Sequence, residues 1–515
     1  MENKIRFRNH ISVILEQLGA TFGILFVLSF TNIDDVIDYI EKGSSEELSL
    51  TVYIGGGVIL AVFLLIFLYQ WIIWSKTYIS ICDNSIVIER NTWNKKKNTI
   101  GLKNISNVNT EQNLLEMLLG TCKVKLDTNS MSTSDKTDVK IILKKAEAEQ
   151  FRLYVMKLMQ GQEGGFEEKY SKEDKDHWAI QTNMGDIFTH GLFSVNLLSV
   201  LVVIGCVVGA AGMVLQVIHS VSVGESIVKM LLSVLMLIAI FSSAIWNIVK
   251  GFIQYYDFKI DRNENKLYIR YGILKKVNYT IPAEKISALK LKQTFFARLT
   301  GRYTAEIINI GMGDDAAETQ SFFLPYCKRN QMEERIRLLL PEFYEAVQMQ
   351  TVRQPIATWI AWIWPAVLFA LFLVAGALLS VYYFPEFQKE IILGVLIFSI
   401  WMILLVLAYF LTAGSTVGVS HMAIVNGYFG RAICYISYKD IQYVEFSQNI
   451  FARVVKLQKG EVHLLASTAN RKQEIPYISM ENGETIKKRL LNQLKNLKKG
   501  FIVQQKEIQK MEVRE

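Results

Sequence analysis

Six stretches of the chain, near residues 11–30, 50–74, 193–218, 227–249, 356–383 and 391–411, are almost wholly apolar. Each supplies roughly the 20 residues that a helix needs to cross the hydrocarbon core of a bilayer. Four contain no Asp, Glu, Lys or Arg; the first holds Glu16 and the fourth Lys229, each near an end, where a long side chain reaches the headgroups. The stretches come in pairs, and a long polar region follows each pair.

Inside the polar regions the period changes to two, the signature of strands with one buried face. In the second region Tyr256–Ile260, Lys266–Arg270 and Val277–Ile281 alternate apolar and polar residues, with turn residues at Asp261–Asn265 and Tyr271-Gly272. Ser85–Glu89 before Asn91 and His421–Val425 before Asn426-Gly427 follow suit. Each region then closes on a helical pattern. Phe151, Val155, Leu158 and Met159 share one face, as do Met332, Ile336 and Leu339, and then Ile486, Leu490, Leu494 and Leu497.

A repeat ties the regions together. Ile100, Ile105, Val108, Gln112 and Leu115 stand at the same steps as Ile281, Ile286, Leu289, Gln293 and Phe296, and as Ile436, Ile441, Val444, Gln448 and Phe451. One module used three times is the simplest account. The chain therefore reads as transmembrane hairpins at 11–74, 193–249 and 356–411, with β-rich modules at 75–160, 250–345 and 412–500. A charged linker at 161–192 and a tail at 501–515 complete it. Each module is expected to be a small β-sandwich or partly open barrel capped by its C-terminal helix.

Charge orients this arrangement. Between the first two apolar stretches Asp34, Asp35, Asp38, Glu41, Glu46 and Glu47 face only Lys42, whereas Lys4, Arg6 and Arg8 precede the first. The polar regions hold 17 cationic against 16 anionic residues over 75–192, 17 against 12 over 250–355 and 16 against 9 over 412–515. The positive-inside bias then places both termini and all three modules in the cytoplasm of a multi-pass membrane protein. The net charge of +8, with 51% hydrophobic residues and mean hydropathy +0.23, suits that class. No small-residue cleavage site follows Phe30, so the first stretch reads as a retained helix rather than a secretory signal. Cys82, Cys122, Cys206, Cys327 and Cys434 are isolated, with no zinc or disulfide spacing.

With hairpin, β-module and register together, the chain resembles the bacterial pleckstrin-homology-like membrane proteins of the YdbS/YdbT type, in their three-module YdbT-like branch. The residues that carry the resemblance are Ile281-Pro282-Ala-Glu-Lys-Ile286, Gln293-Thr-Phe-Phe296-Ala-Arg298-Leu-Thr-Gly301, and Ile441-Gln442-Tyr-Val444 with Gln448-Asn-Ile-Phe451-Ala-Arg453. The opening Ile5-Arg6-Phe7-Arg8-Asn9-His10 resembles that family's short basic start. The resemblance implies a pleckstrin-like fold and a membrane-anchored scaffold, linked to envelope stress and protection against antimicrobial peptides. It also implies a small single-module YdbS-type partner. The first module departs from the pattern, with Glu116-Met117 where the others have Ala-Arg, and the third has Lys456 where the first two have Gly120 and Gly301.

No catalytic chemistry is expected. His10, His177, His190, His219, His421 and His463 form no metal-binding pair, and neither a nucleophile elbow nor a phosphate loop is present. No cofactor or metal is expected. The apolar stretches carry no ionisable group at their centres, where a transporter would keep one; a transporter or lipid-handling protein acting through the helices is the alternative reading. Lys95, Lys96, Lys97, Lys275 and Lys276 lie in expected strand turns, where they either meet anionic lipid headgroups or face solvent. Arg298 and Arg453 are expected to pair locally, and Gln112, Gln293 and Gln448 to satisfy backbone groups. No aromatic-basic platform for nucleic acid appears.

Overall fold

A computed structural model of the chain describes residues 5–19, 50–82, 85–128, 139–159, 178–219, 249–309, 321–466 and 470–493, with single positions at 235, 238, 242, 246 and 495. Its strands, in chain order, are β1 (Ile5–Phe7), β2 (Thr77–Cys82), β3 (Ser85–Asn91), β4 (Lys95–Gly101), β5 (Ile105–Gln112), β6 (Thr121–Thr128) and β7 (Val139–Lys144) in the first repeat. The second repeat has β8 (Ile180–Gln181), β9 (Lys259–Asn263), β10 (Lys266–Tyr271), β11 (Lys276–Pro282), β12 (Ile286–Gln293), β13 (Arg302–Asn309) and β14 (Ser321–Lys328). The third has β15 (Gly414–Val417), β16 (His421–Asn426), β17 (Arg431–Ser437), β18 (Ile441–Ser447), β19 (Leu457–Leu464) and β20 (Lys472–Ser479).

Two compact units divide the chain, one formed by 1–175 with 274–280 and the other by 176–273 with 281–515. In the first, β1 to β4 form one sheet in sequential order, while β7, β6 and β5 form a second, extended by Lys276–Asn278 of β11. Alternation sends Ile79, Ile81 and Ile86 from one sheet and Val124, Leu126 and Ile141 from the other into one core. The helix Lys145–Met159 lays Phe151 and Val155 over that core. Each such side chain, fully removed from water, contributes about 1.5–3 kcal/mol.

In the second unit β14-β13-β12-β17-β16-β15 run as one antiparallel sheet and β18-β19-β20 as another. The core between them takes Met422, Ile424, Cys434 and Ile436 from β16 and β17, Val462 and Leu464 from β19, Ile475 and Ile478 from β20, and Ile486 from the helix that follows. It also takes Ala288 and Ile308, which the sequence assigns to the preceding repeat. A core shared in this way binds the second and third repeats to each other. The helix Arg329–Leu339 buries Met332, Ile336 and Leu339, the face its spacing marks.

The strand boundaries shift in places. β9 begins at Lys259, three residues after the alternation suggests, because Tyr256 and Asp257 complete a turn in which Asp257 has φ +50°. Lys95–Lys97 open β4 and Lys276 opens β11, rather than lying in turns. Within 161–192, β8 and the helix Met184–Phe193 occupy the C-terminal part; 161–177 lie outside the described residues.

Among the described residues, three helices are long and apolar enough to cross a membrane: Gly57–Ser75, Thr358–Tyr383 and Pro385–Thr412. The helix Leu197–His219 occupies the third apolar stretch. Most of the first and fourth stretches lies outside the described residues. A short strand or bridge precedes each pair of apolar stretches and meets the first strand after it. β1 pairs with β2, β8 with β9, and Arg353 bridges Gly414.

Candidate functional site

The repeated register builds one local structure three times. Gln112 donates from Nε2 to the Thr121 carbonyl at 2.8 Å, Gln293 to that of Arg302 at 2.9 Å and Gln448 to that of Leu457 at 2.8 Å. Each accepting carbonyl belongs to the first residue of the next strand. The glutamine thereby closes a loop of one short helical turn. The next residue caps that turn: Thr294 Oγ1 accepts from the Ala297 N–H at 3.3 Å, and Asn449 Oδ1 from the Ala452 N–H at 2.7 Å. In the first repeat Glu116 replaces that alanine, and its carboxylate accepts the Asn113 N–H at 2.7 Å. The turn ends in the left-handed region at Gly120 (φ +65°), Gly301 (φ +64°) and Lys456 (φ +54°).

In the second and third repeats the same turn meets the root of the module's own first apolar stretch. Thr294 Oγ1 donates to the Phe193 carbonyl at 2.6 Å, and Asn449 Nδ2 to the Ala361 carbonyl at 2.7 Å. Phe193 ends the helix that leads into the third apolar stretch, and Ala361 lies in the first turn of Thr358–Tyr383. Ala361 packs against Ala452, Leu457 and Tyr477. In the first repeat Lys123 pairs with Glu16, in the helical segment at 12–19, and with Glu116 at 3.6 Å. Glu16, expected at the headgroups, is thus held by the module. Small Ala452 follows from the close approach of Ala361; Glu116, at the same place in the first repeat, pairs instead with the Lys123 that reaches Glu16.

Among the described residues, the first repeat buries Asp, Glu, Lys or Arg side chains where the others bury none. Glu111 is 3% exposed; Lys125 reaches it at 3.2 Å and Lys275, from the second repeat, also at 3.2 Å. Burial draws the Lys125 ammonium below the usual lysine range and pushes Glu116 above the carboxylate range. Burial also pulls on Lys123, but the Glu16 hydrogen bond and the Glu116 charge outweigh it and leave it raised. In the sequence Lys123 and Lys125 stand out only as two alternate cations in a polar region. Nothing in sequence spacing pairs them with Glu16 and Glu111.

The remaining candidates separate. Lys95, Lys96 and Lys97 are exposed, and Lys97 stands 3.4 Å from Glu89 across the hairpin. Lys276 opposes Gln112 in the β5·β11 pairing. Arg298 does not pair within its own turn. Its Nη1 donates to Thr412 Oγ1 at 2.9 Å and to the Phe429 carbonyl at 3.2 Å, gripping the end of the apolar helix Gln388–Thr412 and the β16–β17 turn. Burial, then the guanidinium groups of Arg431 and Arg353, hold Arg298 below the usual arginine range. Arg453, at the matching place in the third repeat, is exposed.

An open cleft of about 790 Å³ in the second unit is lined by His421, Lys439, Arg489, Glu284 and Glu342. Among the described residues no group of three or more His, Cys, Asp or Glu is placed to hold a metal ion. His190 is buried among Tyr255, Phe322 and Tyr326, and burial pushes it down to about 4, so it is a neutral packing residue.

Residues 25–159, 199–342 and 356–494 each match the family described as Bacterial PH domain. The chain is also similar to UPF0699 transmembrane protein YdbT of Bacillus subtilis (strain 168), with 26% identity over 238 residues. That match covers 46% of this chain and 45% of the relative, so it spans less than half the length of either. No solved structure matches the chain.

Proposed function

The chain belongs to the bacterial PH domain family, and from that premise we propose that it is a non-enzymatic, integral membrane scaffold. Three PH-like modules, tethered by hairpins of six helices, face the cytoplasm and gather a partner protein at the inner face of the membrane. The observation that carries this reading is a mount found in all three repeats, made by the signature turn in the second and third and by a β6 lysine in the first. Thr294, Asn449 and the Glu16–Lys123 pair hold each module to the root of its own membrane segment. Residues invested in mounting leave the rest of each module's surface for partners, and three weak sites on one tether act together. A small membrane protein with a single PH-like module is the partner this predicts, in a response to envelope stress or antimicrobial peptides.

The test is affinity purification of the tagged full-length protein in mild detergent, followed by mass spectrometry. The expected result is one small PH-like membrane protein at stoichiometric amount. A clean, partnerless sample would sink the scaffold reading. Solute or lipid movement in liposomes made from that sample would then establish the alternative, a transporter or lipid-handling protein.

A further inference from the structure

Two strand junctions inside the chain share one register. Lys276, Val277 and Asn278 of β11 oppose Gln112, Glu111 and Thr110 of β5. Arg431 through Ile436 of β17 oppose Gln293 through Ala288 of β12. The repeat makes Lys276 equivalent to Arg431 and Gln112 equivalent to Gln293, so a cation faces the signature glutamine both times. Each repeat thus offers two edges: the strand that carries Ile100, Ile281 or Ile436, and the strand that runs up to the signature glutamine.

Two such edges are left over. β4 ends the order β1-β2-β3-β4 and β18 begins the order β18-β19-β20, and no strand pairs with either edge among the described residues. The contrast with a filled junction is plain. β12 is buried over most of its length, whereas β18 exposes Tyr443, Glu445 and Ser447, and β4 exposes Lys95 through Thr99. Open edges are templates for a further strand.

We propose that β4 of a second copy of this chain adds to β18, joining copies head to tail in the register of the internal junctions. Lys95 then stands opposite Gln448, Lys96 opposite Ser447 and Asn98 opposite Glu445. The charges fit. The open sheet carries Glu445, Glu461 and Glu474 opposite one another on β18, β19 and β20, and the incoming Lys96 lies diagonal to Glu445. The Lys275–Glu111 pair, 3.2 Å across the first internal junction, is the same device. Three lysines on β4 repel another β4 and accept an acidic edge. Such a heterologous contact links copies into rings or open chains.

The test uses full-length chains in native membranes. Differently tagged Lys96→Cys and Ser447→Cys variants are co-expressed and oxidised. The expected product is a disulfide-linked heterodimer, at least tenfold above the background of either variant co-expressed with the unsubstituted chain. Lys292→Cys with Ala432→Cys in one chain occupies the same place in the internal junction and is the positive control. Replacing Lys95, Lys96 and Lys97 together by Glu, all exposed positions, is expected to lower the heterodimer at least tenfold. A locked control without heterodimer overturns the proposal. So does a Ser447→Cys homodimer of equal yield, or cross-linking of Ser447→Cys only to a different, smaller protein. The linkage of copies is read separately from recruitment of a partner.

Discussion

At the scale of single residues, the departures from the repeat explain themselves. Gly120, Gly301 and Lys456 share one left-handed conformation. A non-glycine residue there costs about 1–2 kcal/mol. Gly301→Ala meets no atom within 4 Å, so its penalty is conformational alone; thermal unfolding of the detergent-solubilised chain should show a loss of about 1–2 kcal/mol. Lys456→Gly should stabilise by up to about 1 kcal/mol, since lost strain is partly offset by a freer unfolded chain. His190 supplies a pH effect. Its folded value lies near 4, below the value of about 6.5 for an unfolded histidine. The unfolded state therefore binds more protons between those values. Stability is full above about pH 6.5 and declines by up to about 3 kcal/mol as the pH falls towards 4. Melting curves of the chain and of His190→Leu at pH 7.5 and 4.5 should separate, with the variant losing less on acidification.

Elements were unevenly legible. Strands with one wet face, such as β10 with its alternating Leu267, Ile269 and Tyr271, announce themselves by period two. Helices laid on a core do so by recurrence at three and four, as Met332, Ile336 and Leu339 show. β1, β8 and the Arg353 bridge did not, because two or three residues carry no period and owe their form to a partner across the hairpin. The mount of module on membrane segment was likewise invisible, since it depends on one side chain meeting one distant carbonyl. Asn449 separates the two duties of that mount. Asn449→Asp keeps the cap acceptor and loses the Nδ2 donor to Ala361, whereas Asn449→Ala loses both. The alanine variant should destabilise by about 1–2 kcal/mol and the aspartate variant by less. Equal losses would assign the whole effect to the contact with Ala361.

For the whole molecule, the proposed orientation is open to direct test. A reporter active only in the cytoplasm should work when fused at either terminus or after Lys250. It should fail in the short loops near 219–226 and 384–390. Activity in those loops would reverse the orientation drawn from Lys and Arg.

The sequence by itself determined the repeat, the apolar stretches and the change of period between membrane and polar regions. These are properties of composition and spacing, which hydration and backbone geometry translate directly into elements. Only the tertiary structure decided that the repeats are not self-contained. Ala288 and Ile308 fill the core of the next repeat, and β12 pairs with β17 as fully as with β13. A strand has two edges with the same hydrogen-bonding groups, so its sequence records which face is buried but not which neighbour takes which edge.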